Sequence, residues 1–140
     1  LAYVMNFSGQ TVAMGTFLAG LGTIYAVLAP VLGWIGTAVT GSDTSANALF
    51  SKLQVSAAEN LQHAGVSGAT PELMLAANTT GGVVGKMISP QSLAIAATSV
   101  DMEGKESEIL KAVVPWSFAM LVVVCLLVFL QTNVLSFLIP

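Results

Sequence analysis

Apolar residues dominate both ends of this chain and give way to polar ones only in its middle. From Gln10 to Leu21 the pattern predicts a first helix that Ser8 or Gly9 can start, with Gly20 and Gly22 offering a break or tight turn near its end. Thr23 to Thr40 follows as a second apolar helix, ~27 Å long by the α-helical rise, with Pro30, Gly33, Trp34 and Gly36 inside it. Gly15 with Ala19, and Gly22 with Ala26, set small residues one turn apart, a spacing that lets helices approach closely in lipid.

The character changes at Gly41-Ser42-Asp43-Thr44-Ser45, a small, cap-rich stretch in which Ser42, Asp43 or Thr44 can serve as an N-cap. Ala46 to Val55 continues as an apolar-leaning helix of about a dozen residues, ~18 Å and too short to span a bilayer. Residues 23–57 then read as a re-entrant hairpin with its polar tip inside the membrane. A surface-lying amphipathic helix would carry several basic residues, and here Lys52 stands alone. Glu59 to Thr70 reads as an aqueous loop. Thr70-Pro71-Glu72 and Ser89-Pro90-Gln91 are helix starts, each with a capping hydroxyl and a proline at the first helical position. Between them, the β-branched residues and glycines of Asn78 to Lys86 disfavour a continuous helix, so residues 71–99 are expected to form one crossing broken at that run. Backbone interrupted at membrane depth must be buried in protein or line a wet cavity.

Asp101 to Lys111 reads as a solvated loop, and Ala112 to Leu130 as the cleanest spanning helix, ~28 Å long, with Pro115 in its first turn. No Asp, Glu, Lys, Arg or His precedes Asp43 or follows Lys111, and the 140 residues are 55% hydrophobic and 8% charged, against about 25% charged in an ordinary soluble domain. Such a chain belongs in lipid. A secretory signal is excluded by the absence of a basic region before the first apolar run, and an opening at Leu1 suggests that further sequence precedes it. Lys105 and Lys111 place the loop before the last helix on the cytoplasmic side, and the Lys- and Arg-free loop from Glu59 to Thr70 outside. The net charge of -3 and the lack of arginine argue against nucleic acid.

Two polar interruptions suit the capture of a small anion. An ion leaving water needs replacement donors, and half-helix N-termini supply unpaired N–H groups with the positive end of a dipole. The candidate binding residues are Ser42, Thr44, Ser45, Asn47, Asn78, Thr79, Thr80, Lys86 and Ser89. Asp43 is the candidate proton carrier, since a carboxylate near the bilayer centre costs about 2.5 to 3.5 kcal/mol on insertion scales and has to be used. Lys86 can pair with Asp43 or with a substrate carboxylate, or reach to an interface. Gly81 to Met87 resembles a phosphate-binding loop only superficially, because Thr80 stands at the first glycine position and Met87 follows the lysine. One histidine and the single Cys125 assemble neither a metal site nor a catalytic triad, so no cofactor, metal or enzymatic activity is expected.

The stretches Gly41 to Phe50 and Ala77 to Ser92 closely resemble the C-terminal part of bacterial L-lactate permeases, and Gly104-Lys105-Glu106-Ser107 and Ile139-Pro140 look like that family too. The resemblance implies a multi-pass inner-membrane symporter that imports L-lactate, and related 2-hydroxy monocarboxylates such as glycolate, together with H+. It also implies that Pro140 is the natural end, that most of the protein lies upstream of Leu1, and that this chain is part of an inverted-repeat transporter with re-entrant hairpins. The expected fold class is therefore all-α: a polytopic membrane protein with a re-entrant helical hairpin (residues 23–57), a discontinuous transmembrane helix (71–99), a first helix (1–22) and a last one (112–131). A guanidinium clamp on the substrate would have to come from upstream sequence. The competing reading is a non-transporting membrane subunit whose glycines serve packing only.

Overall fold

The computed structural model describes residues 2–135, and their regular structure is wholly helical. Leu1 and the Ile139-Pro140 likeness lie outside these residues. The elements are α1 (Ala2–Phe7), α2 (Gln10–Ala19), a 3₁₀ turn at Gly22–Ile24, α3 (Tyr25–Thr40), α4 (Asp43–His63), α5 (Pro71–Lys86), α6 (Pro90–Ser99) and α7 (Glu106–Asn133). By length and apolar composition, Gly22–Thr40 and Glu106–Asn133 can each cross a membrane.

The turn chemistry explains the boundaries. Gly41 ends α3 at φ 70, where its N–H bonds the Thr37 carbonyl at 2.8 Å. A left-handed residue at that position is what glycine permits at least cost. Ser42 next to it is extended and caps α4, its Oγ accepting from the Ser45 N–H at 3.3 Å. Thr70 and Ser89 cap α5 and α6 in the same way, each followed by proline.

Three expectations need correction. Helix α4 is 21 residues long, ~31 Å, and runs through Ser56 to His63 instead of stopping near Val55. Its continuation is rich in Ala, Glu, Leu and Gln, all good helix formers, and nothing in it breaks the ladder before Gly65. Helix α5 passes unbroken through Asn78 to Lys86; the interruption stands at Met87–Ser89. Helix α7 begins at Glu106, so the second half of the expected loop is helical and Pro115 sits in its third turn. Glu106 and Glu108 lie in the first turn, where the helix dipole favours acids.

Helix α3 is central, packing on α4, α5 and α7, while α4 is also covered by α2. The core is built of small side chains around a few large ones: Ala26, Ala29, Ala57, Ala58 and Ala77 surround Tyr25, Leu53, Leu61 and Met74. A second cluster of Val84, Leu121 and Cys125 joins α7 to α5. A polar clamp crosses it, in which Trp34 Nε1–H donates to Ser117 Oγ at 3.0 Å and Ser117 Oγ donates to the Val84 carbonyl at 3.0 Å. The outer side of α7, including Trp116, Phe118, Val123 and Leu126, is exposed and apolar.

Close approach of α3 and α5 is the reason the glycine-rich run stays helical. A Cβ at Gly33 would strike the Asn78 carbonyl, one at Gly81 the Pro30 carbonyl, and one at Gly85 the Trp34 carbonyl. Each glycine in a helix interior costs about 1 kcal/mol of propensity, and backbone-to-backbone packing offsets it. Gly15 does the same for α2 against Ser56 and Ala57 of α4, whereas Gly22 faces open space. Gly81→Ala is expected to destabilise the full-length protein by about 1–3 kcal/mol. The expected readout is a lowered thermal unfolding midpoint in detergent; an unchanged midpoint would refute the contact.

Candidate functional site

Asp43 opens α4 directly beneath the Gly41–Ser42 turn, and the favourable end of the α4 dipole falls on its half-buried carboxylate. Asn47, one turn on, donates from Nδ2 to Asp43 Oδ2 at 3.1 Å, and Thr37 of α3 stands 3.5 Å from Asp43 Oδ1. Gly82 of α5 makes room for this group: a Cβ there would collide with Asp43 Oδ1 and come within 2.7 Å of Thr37 Oγ1. Asn47 Oδ1 in turn accepts from Asn78 Nδ2 at 2.7 Å and from Thr79 Oγ1 at 3.1 Å. Residues of three helices thus meet around one carboxylate.

The network continues inward. Asn78 Oδ1 accepts from Gln54 Nε2 at 3.1 Å, Gln54 Nε2 also donates to the Ala29 carbonyl at 3.1 Å, and the Tyr25 hydroxyl donates to Gln54 Oε1 at 2.6 Å. Tyr25, Gln54 and Asn78 are completely buried. Among the described residues, every buried side-chain nitrogen and oxygen has a hydrogen-bond partner.

Of the candidate residues, Asp43, Asn47, Asn78 and Thr79 come together. Ser42 and Ser89 act as helix caps, Ser89 being buried and paired with Ser92. Thr44 and Ser45 are exposed, and Thr80, also exposed, bonds back to the Ala76 carbonyl at 2.8 Å. Lys86 donates to the Gly41 carbonyl, so its ammonium neutralises the C-terminal end of α3. The side chain of Gln91, in the first turn of α6, packs against Gly41 as well, which sets the starts of α4 and α6 close together. The sequence reading missed Thr37, Gln54, Tyr25 and the role of Gly82. A signal for Gln54 existed, since Asp43, Asn47 and Gln54 recur at a helical spacing on one face of α4.

A groove of about 440 Å³ between α3 and α7 is lined by Val27, Val31, Phe118, Leu121, Cys125 and Phe129 and offers a carboxylate no donors. The polar constellation at the α3–α4 turn is the candidate site.

Residues 1–135 match the family model of the L-lactate permease. The chain belongs to the L-lactate permease family. It is 46% identical over 139 residues to an L-lactate permease of Bacillus subtilis and 44% identical over 139 residues to one of Escherichia coli K12; both alignments cover 99% of this chain and 24% of the relative. A glycolate permease GlcA of Escherichia coli K12 is 42% identical over 135 residues, 96% of this chain and 23% of its own length. The chain therefore spans about a quarter of the length of the curated relatives it matches. No solved structure matches it.

In this member of the L-lactate permease family, Asn47 is the hub of the polar constellation. Asn47→Ala strands Asn78 Nδ2, Thr79 Oγ1 and Asp43 Oδ2 at once, and is expected to cost about 1–3 kcal/mol. The check is the thermal midpoint of the full-length protein beside that of Ser45→Ala, whose exposed side chain should matter little.

Proposed function

We propose that the full-length protein is a secondary active transporter of the bacterial inner membrane that imports L-lactate, and glycolate-like 2-hydroxy monocarboxylates, by proton symport. The observation that carries this reading is the carboxylate of Asp43, held by Asn47 and Thr37 beside Asn78 and Thr79 where three packed helices meet, in a chain of the L-lactate permease family. Relatives named for L-lactate and for glycolate support the substrate class.

In this reading α3 and α4 are the arms of a re-entrant hairpin whose tip is Gly41–Ser42, and α5 and α6 are the halves of one discontinuous crossing within an inverted repeat. The starts of α4 and α6, capped by Ser42 and Ser89, supply N–H donors for the substrate carboxylate, with Asn47, Asn78, Thr79 and Lys86 as the side-chain contacts; Thr44, Ser45 and Thr80 stay outside the constellation. Asp43 takes the coupling proton. Its place among hydroxyl and amide groups lets it exchange partners as it gains and loses a proton, because a carboxylate only accepts while a carboxylic acid also donates. The glycines Gly33, Gly81 and Gly85 serve helix packing in this reading as well, so a packing role for them does not favour the non-transporting alternative.

Cells carrying the complete gene should accumulate labelled L-lactate and glycolate in preference to acetate, and only with a proton gradient. Asp43→Asn is expected to abolish uphill accumulation while leaving membrane insertion intact. Undiminished uphill uptake by that variant would overturn the coupling role, and uptake indifferent to the gradient would overturn symport.

A further inference from the structure

We propose that Gln54 is a positioning residue for the site, acting through Asn78 to fix which way the amide of Asn47 faces. This rests on the reading of Asp43, Asn47 and Asn78 as the transport site.

Side-chain amides have two nearly isosteric orientations, and only their partners decide between them. Here the decision starts at a backbone group. The Ala29 carbonyl can only accept, so Gln54 must turn its Nε2 toward α3. The second hydrogen of that nitrogen reaches Asn78 Oδ1. Asn78 is thereby obliged to turn its own NH2 to Asn47 Oδ1, where Thr79 also donates. Asn47 is left facing Asp43 with Nδ2. Tyr25 closes the far end by donating to Gln54 Oε1 at 2.6 Å, which gives the oxygen end of that amide its own donor. Every bond in the chain points the same way, from the core toward the carboxylate.

The burial of the inner members makes this more than local pairing. Tyr25, Gln54 and Asn78 are each 0% exposed, so water cannot substitute for a lost partner without entering the core. Reversing Asn47 would set the donor Asn78 Nδ2 against its own NH2 and its Oδ1 against the Asp43 carboxylate, and would turn the Thr79 hydroxyl from donor to acceptor. Reversing the whole relay would set Gln54 Oε1 against the Ala29 carbonyl. Gln54, anchored on main chain of α3 while sitting on α4 and bonding α5, holds the relay in one sense. It touches neither Asp43 nor the α3–α4 turn, and acts only through the asparagines.

The test uses the full-length transporter in proteoliposomes and a double-mutant cycle on Gln54→Met and Asn78→Leu. Methionine matches glutamine in length and helix propensity but bonds neither Ala29 nor Asn78. Released from Gln54, the asparagines spend only part of their time in the working orientation, so KM for labelled L-lactate is expected to rise about tenfold with Vmax changed less than twofold. The double variant should be no worse than Asn78→Leu alone, since the first change acts through the second. Tyr25→Phe removes one of Gln54's partners but neither donated bond, and should raise KM in the same direction by about twofold. That variant alone decides the matter if Gln54→Met does not reach the membrane.

An unaltered KM in Gln54→Met, or in Tyr25→Phe where it stands alone, overturns the inference. So do KM effects of Gln54→Met and Asn78→Leu that simply multiply. If Asn47→Leu and Asn78→Leu raise KM while Gln54→Met does not, the site reading stands and the positioning role alone falls. If neither asparagine variant alters KM, the site reading itself falls and the positioning role with it.

Discussion

Helices α3 and α5 meet backbone against backbone, and the placement of the polar groups follows from that contact. In lipid, helices gain little by hiding apolar surface from one another, so their association rests on close packing and on hydrogen bonds between them. Gly33, Gly81 and Gly85 allow the carbonyls of Asn78, Pro30 and Trp34 to lie where a Cβ would otherwise be. With α5 this near, the amide of Asn78 falls within reach of Gln54 and Asn47, and Gly82 passes over Asp43 without a side chain to displace it. A larger residue at any of these glycines would separate the helices and strand the amides.

The distinction between a glycine that breaks a helix and one that packs it explains the main disagreement between sequence and structure. Locally, Asn78 to Lys86 is poor helix sequence, and a reading confined to propensity puts the break there. Propensity is a difference of about 1 kcal/mol per glycine and yields to tertiary contact. What α3 presents to this run, a matching small residue at Gly33 and the carbonyls of Pro30 and Trp34, cannot be seen without the pairing of the two helices. Ser89-Pro90 was legible because a cap and a proline act within a single turn. Thr70-Pro71 and Gly41-Ser42 were legible for the same reason.

The site divides along the same line. Asp43, Asn47, Asn78 and Thr79 stand out because they lie in the two polar interruptions of an apolar chain that is only 8% charged. Their number alone could not separate them from Thr44, Ser45 and Thr80, which have equal polarity and are exposed. Rotation about the helix axis decides, and a face is fixed only once its neighbours are known. Gln54 is within reach of a sequence argument, because it lies inside the helix predicted to Val55 and continues the Asp43–Asn47 spacing. Tyr25 gives no local sign of its role, since a tyrosine at the start of an apolar helix is equally at home at a membrane interface.

A network in which every buried polar atom already has a partner places a condition on what can enter it. A carboxylate arriving at Asn47 or Thr79 finds the Thr79 hydroxyl engaged with Asn47 Oδ1, and one Asn47 amide hydrogen engaged with Asp43. Binding must exchange one of these bonds for another, and the group released has to find a substitute at a cost of about 1–3 kcal/mol if it finds none. The Lys86 ammonium and the Gln91 side chain both meet Gly41 at the start of α4, so under the proposed function the donors around that turn would take up the exchange. Under the proposed coupling, a proton on Asp43 would give one carboxyl oxygen a hydrogen to donate and remove the charge that strengthens the Asn47 bond, so that amide could turn more readily to another oxygen. Under the proposed symport, the proton occupancy of Asp43 and the capacity of Asn47 and Thr79 to hold an anion would form one equilibrium, and that linkage is what coupling requires.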